Sequence, residues 1–446
     1  MKKLSATLIS ATAVVFMTTS ICVSASEAPD FTGHWNVNLN TGPAKKSMVL
    51  ELKESKGLYS GTSVAADAGL SLSYEGRIEG RRLRLTASAE SYAKLVAAPA
   101  KVGFLELTLK EDQLTGRAVL FHVPMVLQGT RAGSERSAAQ LHDFSPSGYL
   151  LTLSGRHEPV LHIRPGDSVR TTTVDANGID SSRQWASLPG NPHTGPFYVE
   201  GVLPGDTLVV HLTRVRINQD RAEMVCGGLN PNALSVSASD KWEEGCDWMW
   251  TLDDKAGIAT PASPSARLRN FQIPLRPMIG SIGVAPPADQ AISTADLGFH
   301  GGNLDYNRIT EGATVYFPVF QPGALFSLGD GHAAQGAGEV TGQGLETSLA
   351  VEFKVDVIKG KSLRFPWAED AEYFMFSGVG NSLNDALQAS TASMVQWLKD
   401  KYLLSTADVA MLVGTSLEYD VAEVVDPRPH IVAKLRKSVL AEIGAE

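Results

Sequence analysis

The chain has 446 residues, 43% of them hydrophobic, which is long enough for two or three domains with a large core. Its 48 acidic residues outnumber its 39 basic residues and give a formal charge of −9. Nucleic-acid binding needs clustered Lys and Arg to meet phosphates, so this balance argues against nucleic acid as a partner.

The first 25 residues predict a secretory signal peptide. Lys2 and Lys3 precede an apolar stretch rich in small residues, which ends in Val-Ser-Ala at Ala25. This stretch is too short and wrongly flanked for a membrane anchor, and no later stretch is apolar enough to cross a bilayer. We therefore expect a mature protein that begins near Ser26, has no membrane span and is periplasmic or secreted.

The predicted mature chain keeps two cysteines, Cys226 and Cys246. An isolated pair in an oxidising compartment usually forms a disulfide, so we expect a structural disulfide here. A metal site is less favoured because no His lies nearby and the C-x-x-C spacing is absent. A thiol nucleophile is the least favoured alternative, because oxidation would silence it.

Residues 31–132 predict a small all-β accessory domain. Short runs of alternating apolar and polar residues, such as SMVLELKE and RRLRLTASA, are separated by turn signals. About six to eight such strands in roughly 100 residues indicate an antiparallel barrel or sandwich. The stretch contains no constellation of catalytic groups, so a binding module is the less favoured interpretation.

Residues 133–147 are polar, small and broken by Pro and Gly, which predicts a linker before a second domain at 148–446. Strands resume there, and helical spacing appears only late, in NSLNDALQASTASMVQWLKDKY with Asn381 or Ser382 as N-cap. The predicted fold class is therefore mostly β (α+β), a β-rich core with C-terminal helices behind a small barrel or sandwich.

The second predicted helix follows at once, in STADVAMLVG. Ser405 or Thr406 can serve as its N-cap, and Gly414 marks its expected end.

Polar clusters in the predicted second domain contain the candidate site residues. These are Asp175, His193, His300, Asn303, Asp330, His332, Gln335 and Glu339. The last four come from SLGDGHAAQGAGEV at 327–340, which is so rich in glycine that we interpret it as a loop. Two carboxylates and an imidazole there could hold a divalent cation. The open alternative is that Asp330 caps a turn, His332 bonds a carbonyl and Glu339 is solvated.

Other chemistries find less support in the sequence. The GTSLE stretch at 414–418 lacks the Gly-x-Ser-x-Gly spacing of a nucleophile elbow. No Gly-Lys-Ser/Thr phosphate loop occurs. The Gly-rich stretch at 336–344 does not open a predicted helix, so a dinucleotide site is not indicated.

Three blocks, in this order, resemble the acetamidase/formamidase family. They read NPHTGPFYVEGVLPGDTLVV, HGGNLD and FPVFQPGALFSLGDGHAAQGAGEV. The resemblance covers about residues 148–442, including the helical stretch. It implies a β-rich fold and a hydrolase of C–N bonds in small linear amides that yields ammonia and a short carboxylate. It also implies a divalent metal and a homo-oligomer, often a dimer.

The resemblance locates the site, and the individual roles are hypotheses. Asp175, Asp330 and His332 are the expected metal ligands, with Glu339 as a fourth ligand or the general base. Zinc is the expected metal and calcium the alternative. His332, Glu339 and His300 form the expected catalytic set. The expected substrate contacts are Asn303, Gln335 and His193.

The chain departs from the family pattern in several places. The family's loop usually reads Gly-Asp-Gly-Glu where this chain has GAGE, so Ala337 replaces an acid. The N-terminal β unit is not part of the family core, and residues 213–246 look like an altered connection. An exported amide hydrolase is also unusual, because the nitrogen it releases is most useful inside the cell. The alternative is a non-catalytic periplasmic small-molecule or metal-binding protein on the same fold.

Overall fold

The computed structural model describes residues 29–40, 45–65, 71–90, 103–110, 113–120, 123–132, 139–224, 232–233, 248–441 and 443. The predicted signal peptide at 1–25 lies outside the described residues, as do Cys226 and Cys246. No helix within the described ranges combines the length and the apolar character needed to span a bilayer.

The N-terminal unit is a closed antiparallel barrel of eight strands. Its strands are β1 (Gly33–Asn40), β2 (Lys45–Ser55), β3 (Leu58–Ala65), β4 (Ser71–Glu79), β5 (Arg82–Ala87), β6 (Phe104–Lys110), β7 (Gln113–Leu120) and β8 (Val123–Ala132). β1 pairs with both β2 and β8, which closes the ring and leaves no free edge. Trp35, Tyr74 and leucines from alternate strand positions fill the interior. The sequence did not distinguish a barrel from a sandwich, and the structure is a barrel.

The remaining strands form two large sheets and two small ones. The strands are β9 (Leu141–Asp143), β10 (Thr152–Ser154), β11 (Leu161–Ile163), β12 (Ser168–Thr172), β13 (His193–Val199), β14 (Thr207–Ile217), β15 (Arg221–Glu223), β16 (Met249–Asp253), β17 (Ile258–Pro261), β18 (Ile273–Pro274), β19 (Met278–Gly283), β20 (Ala291–Ser293), β21 (Leu297–Gly298), β22 (Gly301–Asn303), β23 (Thr314–Pro318), β24 (Phe326–His332), β25 (Leu349–Ile358), β26 (Trp367–Glu369), β27 (Tyr373–Val379), β28 (Glu418–Glu423) and β29 (His430–Arg436).

Two large sheets enclose one hydrophobic core. One has the order β11-β13-β24-β19-β22-β21, and the other has the order β28-β29-β27-β26-β23-β14-β25-β12-β9. Phe326 of the first sheet meets Phe353 of the second with ring centroids 5.1 Å apart, and Phe197 packs 5.2 Å from Phe353. β9, the edge strand of the larger sheet, lies within the stretch that the sequence predicts as a linker.

Both predicted helices are present. α1 (Leu383–Tyr402) begins after Ser382, whose side chain accepts a hydrogen bond from the Asp385 N–H. α2 (Thr406–Ser416) begins after Ser405 with a full capping box, and it continues two residues past the predicted end at Gly414. A short α3 (Lys437–Leu440) follows β29. α1 packs on β27 and β29 through an apolar cluster that includes Met394 and Leu398.

The interpretation of residues 327–340 as a loop is wrong for the first six residues, because β24 pairs with β13 and β19. Its glycines let neighbouring backbone approach closely. A Cβ at Gly329 would lie 2.1 Å from the Pro192 carbonyl oxygen, and one at Gly331 would lie 2.5 Å from that of Thr347. The glycine content that suggested a loop therefore serves close packing inside a buried sheet.

Candidate active site and metal centre

A buried group of carboxylates surrounds His332 at the end of β24. Asp330 and His332 belong to that strand, and Asp305 follows β22. Glu339 and Glu346 come from the segment between β24 and β25. None of these five side chains belongs to a residue more than 5% exposed. Burying this many carboxylates requires protons, cations or both to offset their charge.

Three of these acids have left-handed backbone conformations. The φ angles are +40° at Asp305, +58° at Asp330 and +45° at Glu339. Non-glycine residues adopt such angles uncommonly, and each instance costs about 1–3 kcal/mol unless local contacts offset it. Strained backbone of this kind concentrates at functional sites, and here it turns three carboxylates toward one imidazole.

Two glycines leave the space that the buried acids and His332 occupy. A Cβ at Gly280 would lie 2.5 Å from Asp330 Oδ2 and 2.6 Å from Asp305 Oδ1. A Cβ at Gly344 would lie 2.6 Å from His332 Nδ1. Alanine at either position would therefore displace a charged group of the cluster.

The hydrogen bonds of Gln335 define the tautomer of His332. Gln335 Nε2 donates to the Asp305 backbone oxygen at 2.6 Å, so its Oε1 is the acceptor that faces His332 Nδ1 at 2.8 Å. His332 Nδ1 therefore carries a hydrogen and donates it to Gln335. In the neutral ring the lone pair is then on Nε2, which is the arrangement of a metal-binding histidine with a hydrogen-bonded partner.

Atoms around His332 Nε2 fit a divalent cation. Nε2 lies 3.3 Å from Asp330 Oδ1 and 3.1 Å from Glu346 Oε1. Ligands that share one zinc ion at 2.0–2.2 Å are separated by roughly 3.4 Å in a tetrahedral site. Asp330 Oδ1 and Glu346 Oε2 are buried without a hydrogen-bond partner among the described residues. A second group, Asp305, His332 and Glu339, also brings its ligand atoms within 4.8 Å of one another.

Burial and the charges of neighbouring carboxylates raise the pKa of three of the buried acids, Asp305, Glu339 and Glu346. Burial raises the pKa of Glu346 to about 7, and His332 opposes the rise. Burial and then the Glu339 and Asp330 charges raise the pKa of Asp305 well above its usual value. Burial likewise raises the pKa of Glu339. Burial lowers the pKa of His332, but Glu346 and Asp330 outweigh it and raise that pKa well above 6.5. Such perturbed groups are typical of functional sites.

Two asparagines and two residues near the C-terminus complete the site. Asn191 Nδ2 donates to Asp330 Oδ2 at 3.1 Å and to Asn303 Oδ1 at 2.7 Å, and Asn303 Nδ2 donates to Asp426 Oδ2 at 2.5 Å. Burial raises the pKa of Asp426 to about 6. His430 Nδ1 donates to the Leu304 carbonyl at 2.6 Å, which anchors the residue before Asp305.

Sequence reasoning missed Glu346, Glu423, Asp426 and His430. Burial, together with the nearby Asp426, raises the pKa of Glu423 to about 8. The sequence VAEVVDPRPH around three of them reads as an ordinary strand and turn. The pairing of β28 with β29, the bridge between Gly338 and Glu423, and the hydrogen bond from Asn303 to Asp426 bring them to the cluster.

The other predicted site residues have different surroundings. His193 is fully buried between the hydroxyls of Ser327 (2.9 Å) and Ser281 (2.6 Å), and burial lowers its pKa to about 3. Asp175 accepts hydrogen bonds at Oδ1 from the N–H groups of Asn177 and Ile179, which is a turn-capping role. Neither side chain belongs to the two acid–histidine groups around His332.

His300 is buried with both ring nitrogens lacking a hydrogen-bond partner among the described residues. Burial lowers its pKa to about 4, so the ring is neutral at pH 7. Its edge-to-face neighbour is Phe299, with ring centroids 5.5 Å apart. Buried ring nitrogens without a partner are uncommon, which makes His300 a candidate ligand contact.

The fold and sequence match solved enzymes of one family. A predicted acetamidase/formamidase from Thermoanaerobacter tengcongensis is 30% identical, with a TM-score of 0.60 over 69% of this chain and 100% of that one. The chain belongs to the acetamidase/formamidase family. The family's sequence model matches residues 287–436, which contain all five residues of the buried acid–histidine cluster. An acetamidase from Bacillus halodurans matches with 28% identity and a TM-score of 0.59 over 68% of this chain and 100% of that chain.

Two curated members of the acetamidase/formamidase family match over parts of their length. A formamidase from Methylophilus methylotrophus is 44% identical over 250 residues, which cover 44% of this chain and 61% of the relative. An acetamidase from Mycolicibacterium smegmatis is 32% identical over 120 residues, covering 25% of this chain and 28% of the relative. The chain thus matches less than two thirds of the length of either curated relative.

Proposed function

We propose that the chain is an exported hydrolase of C–N bonds in small linear amides such as formamide or acetamide. Family membership supports the substrate class. The observation that carries the proposal is the placement of His332 Nε2, which lies between Asp330 and Glu346 while its Nδ1–H is held by Gln335.

We propose Asp330, His332 and Glu346 as the ligands of a divalent cation. In this set Glu346 takes the place expected for Asp175 from the sequence. Zinc fits better than calcium, because an imidazole suits zinc whereas calcium takes six to eight oxygen ligands. A cation bound there would supply Lewis-acid activation of a carbonyl or of water.

Glu339 and Asp305 are the proton-handling pair in this proposal. Burial raises both pKa values, and the Glu339 charge raises that of Asp305 further, so protonation of one carboxyl favours ionisation of the other. Glu339 would take a proton from the attacking water and deliver it to the amide nitrogen as the C–N bond breaks. The amide and one water then become a carboxylic acid and ammonia. His300, neutral and without a partner, is the proposed contact for the substrate amide.

Glu339→Gln is the test of this assignment. The change keeps the size and hydrogen-bonding capacity of the side chain but removes its base. We expect ammonia release from formamide and acetamide to fall by about 100-fold or more, with metal content by elemental analysis unchanged. Glu75→Gln, an exposed acid on β4, is the matched control. Turnover retained in Glu339→Gln would refute the role, and joint loss of metal and activity would make Glu339 a ligand.

The alternative proposal is a non-catalytic periplasmic binding protein on the same fold. Ala337, where the family usually has an acid, is the observation that favours it. The two proposals separate in one assay, because a binding protein with bound zinc releases no ammonia from formamide, acetamide or propionamide. We further propose export and a homodimer, to be checked by cell fractionation and by light scattering of the purified mature chain.

A further inference from the structure

A cleft of about 800 Å³ lies between the N-terminal barrel and the core. Its volume falls in the range of about 300–1,000 Å³ that is usual for small-molecule sites. β13 starts two residues after Asn191, which contacts the acid cluster, and its far end contains Tyr198, which lines the cleft. Seven residues of strand span roughly 20 Å, so the cleft is separate from the proposed active site.

The barrel side of the cleft presents two rows of uncharged polar side chains. Asn36, Thr130 and Gln113 are cross-strand neighbours on β1, β8 and β7, and Asn38, Gln128 and Thr115 form the next row. All six contribute only amides or hydroxyls. The outer face of β4, β5 and β6 differs, because its side chains are mostly charged: Glu75, Arg77, Glu79, Arg82, Arg84 and Glu106.

The core side contributes Glu200 and an aromatic pair. Glu200 Oε2 accepts a hydrogen bond from Asn36 Nδ2 at 2.7 Å, and Oε1 accepts one from His162 Nδ1 at 2.7 Å. The His162 ring stacks on Tyr198 with centroids 4.7 Å apart. Asn36 Oδ1 is buried and has no hydrogen-bond partner among the described residues. The carboxylate and the aromatic stack of the core side thus meet the unsatisfied acceptor of Asn36 on the barrel side.

The core wall is held in place by Gln321. Its Nε2 donates to the carbonyl oxygens of Pro286 at 3.0 Å and Ala288 at 2.9 Å. Gly155 leaves the space for this side chain, because a Cβ there would lie 2.8 Å from Gln321 Cδ. The wall is therefore a packed, hydrogen-bonded surface.

We propose that this cleft binds a neutral saccharide of about two or three sugar rings, a size set by its volume. Amide side chains donate and accept hydrogen bonds at once, as sugar hydroxyls do. The exposed ring of His162, which stacks on Tyr198, offers a flat face for the C–H side of a sugar. Anionic ligands are disfavoured, because Arg156 is already paired with Asp289 at 2.8 Å and Glu158 and Glu200 add negative charge.

The test is a titration of the full mature chain with cellotriose and with the N-acetylglucosamine trimer, in which binding is measured by isothermal titration calorimetry. The double variant Gln128→Ala/Thr130→Ala removes one group from each row, and Thr115→Arg blocks the cleft. The matched control is Ser71→Ala/Thr86→Ala, which makes the same kind of change on exposed positions of β4 and β5.

We expect at least one probe to bind saturably, with affinity reduced by about tenfold or more in the double variant and in Thr115→Arg, and unchanged in the control. Formamide turnover should stay unchanged in all of them, which separates this proposal from the proposed amidase activity. The proposal is overturned if neither probe saturates at about 10 mM, or if binding survives both cleft variants.

Discussion

Replacing Gln335 by Leu tests whether the protein holds His332 in the tautomer that frees Nε2 for a metal. Leu keeps most of the side-chain volume but cannot accept the 2.8 Å hydrogen bond from Nδ1 or donate the 2.6 Å bond to the Asp305 carbonyl. Loss of such an outer partner typically lowers metal affinity by about 10–100-fold. That range equals about 1.4–2.7 kcal/mol, close to the cost of leaving one buried polar group unpaired.

The assay is competition for zinc with a chromophoric chelator at pH 7, together with kcat/KM for formamide at saturating zinc. Gln396→Leu, the same chemical change at an exposed position of α1, is the control and should leave zinc affinity unchanged. Zinc affinity of Gln335→Leu within about twofold of the unmodified chain would refute the reasoning, because Nδ1–H would then not position the ligand.

Three further results are expected. Gly280→Ala should lower the metal content and reduce kcat/KM by about 100-fold, because the added Cβ would lie 2.5 and 2.6 Å from two carboxylate oxygens. Full metal content in this variant would contradict the prediction. Without metal, the stability that comes from the raised pKa of Glu346 is fully present below pH 4.5 and is lost as pH rises through about 7. Protein treated with a chelator should therefore have a lower Tm at pH 8 than at pH 5. Added zinc should remove most of this difference. Ser405→Ala should lower the free energy of unfolding by about 1 kcal/mol in urea titrations without changing turnover, since it removes the α2 capping box.

Local patterns predicted the parts of the fold that depend on neighbours in sequence. Alternation identified the strands of the N-terminal unit, and Ser382 and Ser405 marked the two long helices, because a cap bonds residues only two or three positions away. Closure of the barrel depends on β1 meeting β8, a pairing across nearly 100 residues that alternation does not encode.

The same distinction applies to the site. Asp330, His332 and Glu339 could be found because one short segment contains them all. Glu346 follows soon after but carries no pattern that separates it from a solvated acid. Asp426 reaches the cluster through Asn303, a contact between residues 123 positions apart, which only the folded sheets define.

The buried site is assembled from groups that lie between Asn191 and His430 in the chain. A nascent chain that ends before β29 therefore lacks His430, which anchors the residue before Asp305. If the proposed export takes this chain across the membrane unfolded, the proposed ligand set would first come together after translocation. The cation would then be taken from the destination compartment, and the metal supply outside the cytoplasm would decide which ion the folded protein holds.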